Sequence, residues 1–262
     1  MSASRFRDLH RTGALLVLPN AWDAGSAIAI QHAGAPAVAT TSAGVAWACG
    51  WPDGDKLPAS EILTATARIA RVLAVPLSAD IEEGGSTDPD EVGRFVASLV
   101  DAGVAGINIE DAGRDPSELT AKLRAIRAAL GGRDLYINAR TDIYLRGIAS
   151  GDEAVGEVVR RAGLFREAGA DGLFAPGIAK VDEIRRVAGS LGEMPLNVML
   201  VPGLPSHAAL YDAGARRLSA GIALAMDAYA GAAKGAAAFM GKAEPEALSY
   251  PLLNRLLDRP AG

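Results

Sequence analysis

Cysteine and histidine are nearly missing from this chain. Cys49 is the single cysteine among 262 residues, so no internal disulfide can form and a reducing, cytoplasmic setting is expected. The three histidines, His10, His32 and His207, are scattered without ligand spacing, which excludes zinc held in the usual Cys/His manner. Long apolar runs are missing too. No stretch approaches the roughly 20 residues of a membrane span, so no membrane partner is expected. Met1-Ser2-Ala3-Ser4-Arg5-Phe6 lacks the apolar region of a secretory signal. Nor is there a basic excess: 26 Lys and Arg against 31 Asp and Glu leave a net charge of −5, which argues against a nucleic-acid partner. With 50 % hydrophobic and 22 % charged residues, the composition is that of a soluble globular protein with a substantial core.

What the chain does have is punctuation. His32-Ala33-Gly34-Ala35, Asp101-Ala102-Gly103-Val104, Glu167-Ala168-Gly169-Ala170 and Asp212-Ala213-Gly214-Ala215 each precede a short run of strand type. A glycine just past a helix takes the left-handed conformation that side chains resist, so each copy marks a helix end with a strand to follow. Helix starts are marked at Asp88-Pro89-Asp90-Glu91 and Asp115-Pro116-Ser117-Glu118 by an N-cap acid, a proline and a glutamate. Strands are predicted near 14–18, 36–40, 75–80, 105–109, 134–139, 171–175, 195–200 and 216–220. Helices are predicted near 22–32, 59–73, 89–102, 116–130, 151–168, 180–191, 205–213 and 221–241. Eight βα units imply an α/β protein, a closed parallel (β/α)8 TIM barrel forming a single domain over residues 1–242. An open doubly wound sheet competes, but Pro19-Asn20-Ala21-Trp22-Asp23 after the first strand is no dinucleotide-binding turn. Two stretches break the even spacing. Thr41 to Pro58 reads as a long loop of the kind that forms lids. Residues 243–262 form an apolar tail expected to pack on the barrel or on a neighbouring subunit.

Three polar strand endings carry the chemistry: Ser78-Ala79-Asp80, Asn108-Ile109-Glu110-Asp111 and Asn138-Ala139-Arg140-Thr141-Asp142. In a parallel barrel these endings share one face, so two carboxylates and a guanidinium converge there. Asp80 and Glu110 are the candidate metal ligands, for magnesium, which takes oxygen donors and keeps several waters. Each acid could equally cap the next helix or pair with an arginine. Arg140 offers a planar grip for a carboxylate or phosphonate, alongside an ion pair with Asp142 or Glu110. Glu82 and Glu83 could add charge beside Asp80 or remain solvated. Ser42, Ala43 and Gly44 offer a hydroxyl, backbone N–H groups and room for a substrate oxyanion. Asp53, in Trp51-Pro52-Asp53-Gly54-Asp55, is either an acid on a mobile cover or part of a simple turn. Asn197 hydrogen-bonds a substrate oxygen or a neighbouring backbone group. Cys49 reads as a small apolar filler and His207 as a surface residue.

These motifs in combination resemble the isocitrate lyase and phosphoenolpyruvate mutase superfamily. They are Ser42-Ala43-Gly44, Trp51-Pro52-Asp53, Ser78-Ala79-Asp80-Ile81, Ile109-Glu110-Asp111, Ala139-Arg140-Thr141-Asp142 and Ala170-Asp171-Gly172-Leu173-Phe174, within about Leu15 to Tyr229. The resemblance implies a β/α barrel, homodimeric or homotetrameric, with its last helix exchanged between paired subunits. It implies magnesium and a small anionic substrate, a 2-oxo acid or phosphonate, whose C–C or P–C bond is made or broken through an enolate. By the same resemblance, Ser42 and Gly44 line the oxyanion pocket, Asp53 is the gating-loop acid, Asp80 and Glu110 hold the metal, and Arg140 grips the substrate carboxylate. Two departures stand out. Ser78 replaces the first acid of the usual Asp-x-Asp. The segment after Glu110-Asp111 lacks the Lys-(Lys/Arg)-Cys-Gly-His loop of the lyases, which argues against standard isocitrate or methylisocitrate cleavage. Oxaloacetate decarboxylase-like or phosphonopyruvate hydrolase-like activity, and a binding or sensor protein without turnover, are the alternatives. A class II aldolase would need histidine ligands that the chain does not supply.

Overall fold

The computed structural model describes residues 2–258. Its strands are β1 (Leu16–Leu18), β2 (Asn20–Ala21), β3 (Val38–Thr40), β4 (Leu77–Asp80), β5 (Gly106–Glu110), β6 (Tyr136–Arg140), β7 (Gly172–Phe174), β8 (Leu196–Met199) and β9 (Ala215–Ser219). All pair in parallel, in the order β1-β9-β8-β7-β6-β5-β4-β3-β2. β1 and β2 are one run interrupted at Pro19, whose missing N–H breaks the ladder. One half pairs with β9 (Leu16 beside Arg217) and the other with β3 (Asn20 beside Ala39). The ring therefore closes through the interrupted strand, and the fold is the α/β barrel that the eight-unit reading predicts.

Helices α1 (Ala3–Leu9), α2 (Ala24–His32), α3 (Ser42–Ala48), α4 (Ala59–Val72), α5 (Pro89–Asp101), α6 (Pro116–Leu130), α7 (Gly151–Glu167), α8 (Val181–Ser190), α9 (His207–Asp212), α10 (Ala223–Phe239) and α11 (Tyr250–Leu257) complete the chain. The local signals act as expected. Asp88 and Asp115 accept from the backbone N–H of Asp90 and Ser117 at 2.9 and 2.8 Å. Gly103 and Gly169 take φ of +95° and +105° beyond α5 and α7. None of the helices among the described residues is long and apolar enough to cross a membrane.

Three helices lie outside the predicted units. α3 occupies the first part of the Thr41–Pro58 stretch read as loop, because Thr41 turns the chain into a short apolar helix with Ala43, Val45, Ala46 and Trp47 buried. α1 plugs the barrel floor. Phe6 is fully buried, and a side chain at Gly106 would come within 2.8 Å of its ring. His10 stacks on Tyr136 at 4.4 Å, and burial, with Arg217 nearby, pushes its pKa down to about 3. α11, formed by the tail, packs on α3 of its own barrel. α10 leaves Phe239, at its far end, 94 % exposed, while its first turn, at Leu224, borders a groove with Val17, Trp22 and Ile30.

Candidate active site

Register decides what meets at the strand ends. Glu110 sits beside Arg140, Arg140 beside Phe174, and Asp80 beside Asn108. The Arg140 guanidinium donates to Asp142 through Nε (2.6 Å) and Nη2 (3.1 Å) and pairs with Glu110 Oε2 through Nη1 (2.7 Å). Its Cζ lies over the Phe174 ring, 5.7 Å from the centroid. A guanidinium carries five N–H donors, so about two remain for a ligand. The ion-pair reading of Arg140 is thus what the structure shows, and the remaining donors leave room for the other.

These groups border a cavity of about 520 Å³ over the strand ends, together with Ser42, Ala43, Asp53, Asp80 and Glu82. Ser42 and Ala43 open α3, and Thr41 makes no side-chain cap to its first turn. Gly44 does not reach the cavity. It lies inside α3, where a Cβ would come within 2.7 Å of Thr41 Cγ2 and 2.8 Å of Trp22 Cβ, so its lack of a side chain serves packing. Asn197 does not reach it either. It is 1 % exposed within the barrel and pairs with Ser219 Oγ at 3.3 Å whichever way its amide is turned. Of the two acids after Asp80, Glu82 turns inward while Glu83 turns outward to Arg114. Glu82 has a left-handed φ of +49°, an uncommon conformation for this residue type, and accepts from the backbone N–H of Asp55.

The site is short of positive charge. Burial pushes the Glu82 carboxyl up to about 9, reinforced by Asp53 and Asp80. Burial also raises Glu110, to about 8, against the pull of Arg140 and with Asp142 and Asp80 adding repulsion. Asp80 is raised as well, by burial above all. Asp80 Oδ1 and Asp53 Oδ1 are buried without a hydrogen-bond partner. Orphaned carboxylate oxygens in a crowded acidic pocket fit a divalent cation. Among the described residues no three His, Cys, Asp or Glu side chains group closely enough to ligate one ion. A cation here would thus take one or two carboxylates, Asp80 and Glu110 being the candidates, and complete its shell with water, as magnesium commonly does.

Two contributions were not among the candidate residues read from the sequence. Tyr250, from the tail, donates its hydroxyl to Asp53 Oδ2 at 2.6 Å. Asn108 lines the cavity, and its Oδ1 accepts from Asn138 Nδ2 at 2.9 Å and from the buried Arg217 Nη2 at 3.2 Å, which leaves its NH2 toward the opening. Its place inside the strand ending Asn108-Ile109-Glu110 was a usable signal; Tyr250 had none. After Glu110 the chain makes a tight turn. Asp111 accepts from the backbone N–H groups of Gly113 (2.8 Å) and Asp142 (3.1 Å) and from Arg161 Nη1 (2.7 Å).

Known sequences and structures place the chain in a family. The phosphoenolpyruvate phosphomutase family model matches residues 6–240. An uncharacterized protein of Mycobacterium tuberculosis (strain ATCC 25618 / H37Rv) is 36 % identical, covering 97 % of this chain and 96 % of its own. The petal death protein of Dianthus caryophyllus is 31 % identical, over 79 % of this chain and 69 % of its own. Among solved structures, 2,3-dimethylmalate lyase superposes with a TM-score of 0.81 at 26 % identity, covering 98 % of this chain and 95 % of its own. That structure is described as a member of the PEP mutase/isocitrate lyase superfamily. This chain belongs to the phosphoenolpyruvate phosphomutase family of that superfamily.

Proposed function

We propose that this protein is a magnesium-dependent enzyme acting on a small 2-oxo carboxylate or phosphonate, making or breaking a C–C or P–C bond through an enolate. The observation that carries this reading is Arg140, held rigid by Asp142 and Glu110 with N–H groups to spare, beside the partnerless Asp80 Oδ1. Arg140 binds and orients the substrate carboxylate by charge-assisted hydrogen bonds. The Ser42 hydroxyl and the Asn108 NH2 face the same space and suit the oxyanion of an enolate. Asp53, at the mouth, accepts or returns a proton while the loop excludes water. Magnesium at Asp80 and Glu110, when bound, would supply positive charge toward that oxyanion. The lyase name of 2,3-dimethylmalate lyase supports the reaction class.

Titration calorimetry of oxaloacetate, 2-oxoglutarate, phosphonopyruvate and phosphoenolpyruvate, with and without magnesium, tests this. Binding of at least one acid, strengthened by magnesium, is expected; silence from all of them would sink the proposal. The closed turn at Asp111–Asp115, tied to Arg161, favours a second reading in which the acid is bound and never converted. A bound acid recovered intact after hours with the enzyme would select it. The uncovered groove and the exposed end of α10 further support a homodimer or homotetramer. Sedimentation at micromolar concentration should give a mass of at least two chains, and a monomer there refutes it.

A further inference from the structure

Asp53 is held by the tail at two points. Tyr250 Oη donates to its Oδ2 at 2.6 Å, and Asn254 Oδ1 accepts from its backbone N–H at 3.0 Å. The same Asn254 oxygen accepts from Trp47 Nε1 at 2.7 Å, and the Tyr250 ring lies 5.7 Å from that of Trp47. Residues four apart on a helix share a face, so one side of α11 grips both α3 and the loop that follows it. That helix has its own start signal: Ser249 Oγ accepts from Leu252 N–H at 3.3 Å, with a proline in the first turn. The loop needs such a hold. It is bounded by Gly50 and Gly54, at φ of +81° and +104°, and contributes a carboxylate to the cavity. A carboxylate swings about its last torsion, and anchoring Oδ2 turns the buried, partnerless Oδ1 to one direction. Burial pushes the Tyr250 hydroxyl up to about 12, so it stays a donor through the neutral range.

We propose that Tyr250 and Asn254 are positioning residues, through which α11 latches the 50–55 loop and fixes the Asp53 carboxylate for the substrate. The catalytic part rests on the reading of Asp53 given above; the latch does not.

The test uses the full chain and the variants Tyr250→Phe, Tyr250→Ala and Asn254→Ala, with two readouts. Amide hydrogen exchange in residues 51–55 should speed up about tenfold or more in Asn254→Ala, while the barrel strands keep the parent's protection. Tyr250→Phe keeps the ring and loses only the O–H. On whichever acid the parent converts, it should lower kcat by about 10- to 100-fold with little change in KM. In an Asp53→Asn background the same substitution should cost nothing further, because the two groups act as one unit. Unchanged exchange in Asn254→Ala overturns the latch. Parent-like kinetics for Tyr250→Phe beside an impaired Tyr250→Ala reduce Tyr250 to packing and overturn its assigned role. If the parent converts none of the acids, the functional reading fails alone, and the exchange data still decide the latch.

Discussion

Arg140→Ala is expected to abolish measurable binding of 2-oxo acids and to destabilise the fold by about 3–5 kcal/mol. Both losses have one cause. Arg140 is the group that offsets Glu110 and Asp142, which are 9 % and 1 % exposed and pair with it at 2.7 and 2.6 Å. Removing it leaves buried carboxylates short of a counter-charge, and Arg146, the other partner of Asp142, is half exposed at 3.2 Å. The ligand loses its bidentate anchor at the same time. Arg140→Lys separates the two effects. Its point charge should restore most of the stability, while affinity stays about 10- to 100-fold below the parent because the planar fork is gone. Urea melts and calorimetry measure each arm. An Arg140→Ala protein that binds the same acid with unchanged Kd removes the role assigned to this residue.

The second large effect is a stability that falls as pH rises. Glu82 is pushed up to about 9 in the fold, against an ordinary glutamate value of 4.5. Between those values the native state binds more protons than the unfolded chain, so raising the pH favours unfolding. Glu110, pushed up to about 8, and Asp80, raised by its burial, act in the same sense. The penalty is absent below about pH 4.5 and complete above about pH 9. In metal-free buffer the melting temperature should therefore drop across this window. Glu82→Gln, which keeps an acceptor for the Asp55 N–H, should melt about 5 °C above the parent at pH 9 and near it at pH 5. Magnesium should stabilise the parent more at pH 9 than at pH 6, since a cation binds the deprotonated cluster. Asp80→Asn should lose that increment. A metal-free parent whose melting temperature is flat from pH 5 to 9 would contradict the account.

How much of the site was legible follows from the kind of signal involved. Asp80, Glu110 and Arg140 end apolar runs of strand type, and parallel strands in a barrel bring their carboxyl ends to one face whatever the side-chain details. Gly44 follows the end of a strand and Asn197 lies within one, yet their direction depends on a helix start and on barrel register. One therefore packs against Trp22 and Thr41, and the other turns into the barrel interior. Glu82 and Glu83 are adjacent and chemically alike. A left-handed φ at Glu82 sends one into the cavity and leaves the other to Arg114.

Local chemistry in the sequence by itself determined the barrel: N-cap acids, left-handed glycines and short apolar runs each act within a few residues, so their order survives being read without coordinates. It determined as well that acids and an arginine meet at the strand ends. Tertiary structure alone decided what those groups face. The floor plug of Phe6 and His10, the buried Arg217 behind Asn108 and the hold of Tyr250 on Asp53 join residues about 100 to 200 positions apart. No local propensity encodes such a contact, because it exists only once the chain has closed around a common core.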